Sequence, residues 1–263
     1  MSNKILITDH VRADTFVSIF QNAKIFSDHI NIIFEASRLY VQCMDASKIS
    51  VFELILAKEW FDGYELEEGK SVTIGINTIM LYRVLSTRSK GQDVVFAFDD
   101  GGENLFIEFK SDDKSSYNKE FAIPLMEIED ELMSIPDSES TAIISLPSSN
   151  FADIVKHMKL FGDTMEIKCD QESVAISSNS GESGKMDVKI STDDLSSYEI
   201  TEDEEVKATY NLNIMYNVSL YSKLSGEIEM HITEGAPIKL VYRLHDTIED
   251  AKLRFFLAPK IEE

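Results

Sequence analysis

FVSIFQNAKIFSD (Phe16–Asp28) is echoed about 135 residues later by FADIVKHMKLFGD (Phe151–Asp163). Phe16, Ile19, Phe20, Lys24, Phe26 and Asp28 fall in line with Phe151, Ile154, Val155, Lys159, Phe161 and Asp163. Each copy spaces apolar residues at i, i+3, i+4 and i+7: Phe16, Ile19, Phe20 and Ala23, then Phe151, Ile154, Val155 and Met158. That is one apolar stripe of an amphipathic helix, written twice. A repeat with a period of half the chain implies a duplicated unit.

The correspondence extends outward. Ile32 and Phe34 match Ile167 and Cys169, while Tyr40 and Val41 match Ala175 and Ile176. INTIMLYRVLS resembles LNIMYNVSLYS; the strand patterns DVVFAF and EIEMHI follow, then the glycine turns DDGGEN and TEGAP, then LFIEF and IKLVY. Each half therefore reads helix, strands, helix, strands. The fold class expected is α+β, with two helices packed on antiparallel sheets per copy. The helices are expected at Arg12–Ser27, Asn77–Lys90, Asn150–Phe161 and Asn211–Lys223. The domains are expected at 1–125 and 141–263, joined by a loop at 126–140.

That loop, MEIEDELMSIPDSES, holds six acidic residues, one proline and three serines, a linker composition. Ile128, Leu132, Met133 and Ile135 nonetheless interrupt it. A solvated tether has no need of four apolar residues, so the segment lies on a surface or something docks against it. A similar question arises at YVQCMDASKISVFELIL (Tyr40–Leu56), two apolar strands meeting at a Met-Asp corner. The second copy has the polar SSNSGESG there. Only the first copy has an apolar corner, which points to a partner rather than to the fold.

The chain has 263 residues, a formal net charge of −22 and two distant cysteines, Cys43 and Cys169. No disulfide framework is expected, and a reducing compartment fits. No apolar run approaches the roughly 20 residues of a membrane span, and MSNKILITDHVRADTF has no signal-peptide pattern. The five histidines make no metal spacing, and no phosphate loop or nucleophile elbow is present. No catalytic residue, metal or cofactor is assigned.

Charge is unevenly distributed. The four expected helices hold eight basic residues (Arg12, Lys24, Arg83, Arg88, Lys90, Lys156, Lys159, Lys223) and two acidic ones (Asp14, Asp153). They carry +6, leaving −28 on the rest of a chain whose total is −22. Fields between exposed charges fade over roughly 8–10 Å at physiological salt. A helical surface can thus be locally positive on an acidic protein, which suits non-specific contact with a phosphate backbone. Nothing resembles a base-reading helix or a stacking platform.

LYVQCMDASKISVFELIL…FDGYE, the C-terminal FFLAPKIEE, LPSSNFADIVKHMKLFGD and the acidic linker with its Ile-Pro together resemble eukaryotic proliferating cell nuclear antigen (PCNA), the DNA sliding clamp family. The resemblance runs over essentially the whole chain. It implies a homotrimeric closed ring that encircles duplex DNA without catalysis, is placed by a clamp loader, and tethers polymerases and other replication and repair proteins. It implies DNA-facing cations at Lys24, Arg83, Lys156 and Lys260, with Arg88, Lys90, Lys159 and Lys223 near such positions. Val17, Ser18, Asp153 and Leu220 stand where the family is basic.

The resemblance also implies a groove for motif peptides made of Met44, Ile49, Val51, Ile128, Met133, Ile135, Pro136, Pro237, Phe256, Ala258, Pro259 and Ile261. Lys48 and Ser140 depart from the family beside it. Edge strands that close the ring are expected at Tyr117–Ile123, with Tyr117, Phe121 and Ile123, and at Val174–Ser180, with Val174, Ile176 and Ser178. The site of action expected is the nucleus, or a viral replication site. The alternatives are a clamp-like subunit of a heteromeric checkpoint ring and an acidic protein-binding scaffold; a membrane partner is not expected.

Overall fold

A computed structural model describes residues 3–66, 69–111, 116–129, 131–135 and 139–260. The chain divides into two compact units. One gathers Met1–Ala46, Phe52–Met133 and Leu244–Lys252; the other gathers Ser47–Val51, Ser134–Arg243 and Leu253–Glu263.

The first half of the chain runs β1 (Asn3–Ile7), α1 (His10–Ala23), β2 (His29–Phe34), β3 (Arg38–Met44), β4 (Ser50–Ala57), β5 (Gly63–Glu65), β6 (Val72–Asn77), α2 (Thr78–Leu85), β7 (Asp93–Phe98), β8 (Asn104–Lys110) and β9 (Lys119–Pro124). Its strands lie in the orders β5-β1-β7-β8-β9 and β4-β3-β2-β6. The second half runs β10 (Ala142–Pro147), α3 (Ser148–Met158), β11 (Thr164–Cys169), β12 (Ser173–Ser180), β13 (Gly184–Ser191), β14 (Ser197–Ile200), β15 (Val206–Asn211), α4 (Leu212–Ser219), β16 (Glu227–Ile232), β17 (Ile238–Arg243) and β18 (Ala251–Leu257). Its orders are β14-β10-β16-β17-β18 and β13-β12-β11-β15. Adding nine to each strand number of the first half reproduces the second, so the duplication holds strand by strand.

Single hydrogen bonds repeat too. Tyr64 Oη donates to the Glu35 carbonyl at 2.9 Å, and Tyr198 Oη to that of Asp170 at 2.7 Å. Thr78 N donates to Asp28 O and Leu212 N to Asp163 O, at 2.9 and 3.0 Å. Asn77 and Asn211 cap α2 and α4 by accepting from first-turn amides, which satisfies donors a helix start leaves open.

The α+β class and all four helices match the sequence-based expectation, but each helix ends early. After Ala23 the amides of Ile25 and Phe26 bond three residues back, to Asn22 and Ala23. The chain tightens into a turn that still buries Phe26; apolar periodicity outlasts the helix because the turn keeps facing the core. In the first unit Phe16 anchors that core, with ring centroids 4.9 Å from Phe20 and 5.4 Å from Phe96. In the second, Tyr221 packs 5.2 Å from Phe255.

One expected edge is corrected. β12, with Val174, Ile176 and Ser178, is paired on both sides, by β11 and β13, and all three residues are buried. The outer strand of that sheet is β13, where exposed and half-buried residues alternate. β9 is the outer strand of its own sheet, as expected.

Candidate nucleic-acid interface and partner surface

The helices set the first site. In the first unit α1 packs beside α2. α1 buries Ala13, Phe16, Ile19, Phe20 and Ala23, and α2 buries Thr78, Leu81, Val84 and Leu85. Lys24, the C-cap of α1, is exposed and carries its Nζ 4.7 Å from the centroid of the Tyr82 ring on α2. Arg83 and Lys90 are exposed as well. In the second unit α3 packs beside α4. Lys159, the C-cap of α3, holds its Nζ 4.2 Å from the Tyr216 ring on α4. Lys156, His157 and Lys223 are exposed. A cation at a helix C-terminus also complements the helix dipole.

One expected cation is turned inward, and one lies outside the helices. The Arg88 side chain is only 3% exposed: Nη1 lies 2.5 Å from Asp14 Oδ1, and Nε donates to Gln92 O at 2.7 Å. It ties local structure together and presents no outward charge. Lys260 stands beside β15 rather than on a helix, its amide donating to Thr209 O at 2.7 Å.

Several strand lysines are paired with carboxylates, although Lys4 and Lys189, also on strands, have no ion pair among the described residues. Lys168 reaches Glu205 at 2.9 Å, Lys185 reaches Asp187 at 2.8 Å, Lys207 reaches Glu166 at 3.0 Å and Lys252 reaches Asp250 at 3.0 Å. Among the described residues no carboxylate pairs with Lys24, Arg83, Lys90, Lys156, Lys159 or Lys223. Exposed ion pairs contribute little stability, yet they cancel local potential. The helical cations keep theirs, as a polyanion-binding face requires.

The second site is the acidic linker, whose described residues up to Met133 are tied down within the first unit. Met126 N donates to Gly75 O at 3.0 Å, and Asn31 Nδ2 donates to Ile128 O at 3.1 Å. Gln42 grips the Met133 backbone twice: Met133 N donates to Oε1 at 2.7 Å, and Nε2 donates to Met133 O at 3.1 Å. Only glycine fits at 75, because a Cβ there would sit 2.2 Å from Met126 O. Met133 and Leu132 remain 41% and 52% exposed, and Met44 at the end of β3 is half-buried.

In the second unit the amide of Ala258 donates to Ile49 O at 2.9 Å. Ile49, Ile135, Phe256, Ala258 and Pro259 are half-buried and Pro237 is exposed. Val51 is buried core, because it continues the fully buried β4. Pro136 and Ile261 lie outside the described residues. On β9, Tyr117 precedes the strand fully in solvent, Phe121 is half-buried and Ile123 is buried.

Sequence reasoning passed over Asn31, Gln42 and Gly75, and the rings of Tyr82 and Tyr216. Gln42 had a signal, a polar residue between Val41 and Cys43 in an apolar strand. The tyrosines had none, since each meets a lysine far away in sequence.

Two family models match the chain: the N-terminal domain of proliferating cell nuclear antigen over residues 8–132 and its C-terminal domain over residues 134–261. The crystal structure of proliferating cellular nuclear antigen from Entamoeba histolytica is similar, with a TM-score of 0.86 and 22% identity over 98% of this chain and 99% of that one. The two domain models between them span nearly the whole length, and they meet at the junction of the two units. With both domains matched in order, the chain belongs to the proliferating cell nuclear antigen family, the non-enzymatic DNA sliding clamps.

Proposed function

We propose that the protein works as a homotrimeric ring that holds replication and repair proteins on duplex DNA, in the nucleus or at a viral replication site. One observation carries this: six cations around the helices (Lys24, Arg83, Lys90, Lys156, Lys159, Lys223) keep their charge while several lysines on strands and loops are neutralised. Each phosphate contact contributes counterion release and no sequence preference, which suits a ring that moves along DNA. Ring closure uses the outer strands β9 and β13, whose open backbone edges are templates for pairing with another copy. Motif peptides dock on the apolar positions described above, with Met44 and Met133 as adaptable contacts.

The test is polymerase processivity on primed circular DNA with and without a clamp loader. Loader-dependent extension of product length is expected. Lys156→Ala with Lys159→Ala should shorten it. No stimulation under conditions where loading succeeds would sink the proposal.

A further inference from the structure

We infer that Tyr82 and Tyr216 are positioning residues that hold Lys24 and Lys159 for contact with DNA phosphates. This rests on the reading of the helical face as DNA-facing.

The two pairs occupy the same place in both units. Lys24 and Lys159 are the C-caps of α1 and α3, 135 residues apart, and Tyr82 and Tyr216 are the fifth residues of α2 and α4, 134 apart. The Nζ-to-ring distances are 4.7 and 4.2 Å. The other helical cations are not duplicated. At those offsets Arg83 corresponds to Asn217, Lys90 to Leu224, Lys156 to Gln21 and Lys223 to Ser89. Of six cations, the only position basic in both halves is the one that stands over a tyrosine.

The chemistry gives the ring a task a carboxylate cannot perform. An ammonium is a compact, hydrated point charge on a flexible stem. Glu205 fixes Lys168 and Glu166 fixes Lys207, but each also cancels the charge it holds. The face of an aromatic ring attracts the ammonium through its quadrupole and leaves the unit charge intact. The N–H groups turned away from the ring stay free for a phosphate oxygen. Tyr82 and Tyr216 therefore restrict where the charge sits without neutralising it, and an ordered contact group binds at lower cost than a mobile one.

The experiment compares wild type, Tyr82→Leu/Tyr216→Leu, Tyr82→Phe/Tyr216→Phe and Lys24→Ala/Lys159→Ala in the full chain. NMR of the free protein reads the Lys24 and Lys159 ε-methylenes. Upfield ring-current shifts are expected in wild type and the Phe variant, and their loss in the Leu variant. Affinity for a short linear duplex, which an unopened ring can thread, is then measured against salt. The Leu variant should bind about three- to tenfold more weakly with an unchanged salt slope, because every charge remains. The Phe variant should match wild type, and the lysine variant should show a shallower slope. A Leu variant that binds as tightly as wild type would overturn the inference while leaving the clamp reading intact. Wild type with no retention on closed circular DNA after loading would overturn that reading, and the inference with it. Should the Leu variant fail to fold, Tyr82→Met/Tyr216→Met replaces it, with the same outcomes.

Discussion

Glu229 shows how much one residue can hold. Its Oε1 lies 2.6 Å from His231 Nε2 and its Oε2 3.0 Å from Arg243 Nη2. The His231 hydrogen bond, then those from Arg243, lower the carboxyl from 4.5 to about 2, against burial that pushes it up. A carboxyl held low in the folded state adds stability above its ordinary range and loses it as pH falls toward about 2. Glu229→Gln should therefore flatten the loss of stability between pH 4.5 and 2 and cost at most about 3 kcal/mol at neutral pH; melting temperatures across that range check it. Such residues are poorly legible in sequence. Glu229 and His231 are two apart on one strand face, a visible pattern, but Arg243 arrives from the next strand. Gly75 is the opposite case: a glycine inside the strand pattern VTIGIN is itself a mark of close backbone approach.

At the scale of elements, what repeats locally could be read and what depends on pairing could not. The apolar stripes of α1 and α3 and the polar caps before α2 and α4 are local signals, and a helix forms at each of the four, although each ends earlier than expected. Because Asn77 and Asn211 both cap their helices from the same position, Asn77→Ala and Asn211→Ala should each cost about 1 kcal/mol. Equal losses in chemical denaturation would support equivalent roles; a loss at one site alone would count against them. Strand order resisted reading. VAISSNS and KMDVKIS both look like strands, and only the antiparallel ladder decides which is outermost. The buried Ile176 and the half-buried Val188 have similar side chains but different neighbours.

For the whole molecule, the excess of negative charge and the unneutralised helical cations are compatible because screening is short-ranged. The total of −22 taken alone argues against nucleic acid; the placement of unpaired positive charges on the helices and in the turns that follow them argues for it. Outer strands bear on assembly. If β9 and β13 join copies, Val188→Asp should place a charge in the seam and reduce the mass seen by light scattering to that of one chain, 29.8 kDa. Retention of a trimer would move the seam elsewhere. Among its described residues the first half of the acidic linker is no loose tether, since it is fastened at Met126, Ile128 and Met133. A loose linker of this composition would have to be ordered at each docking event, at roughly 1–2 kcal/mol per residue fixed. Its stretch up to Met133 is already fastened and has met that cost during folding, so if motif peptides dock there as proposed, each bears mainly the entropy of its own ordering, and short, weak motifs suffice to bind and are quick to leave.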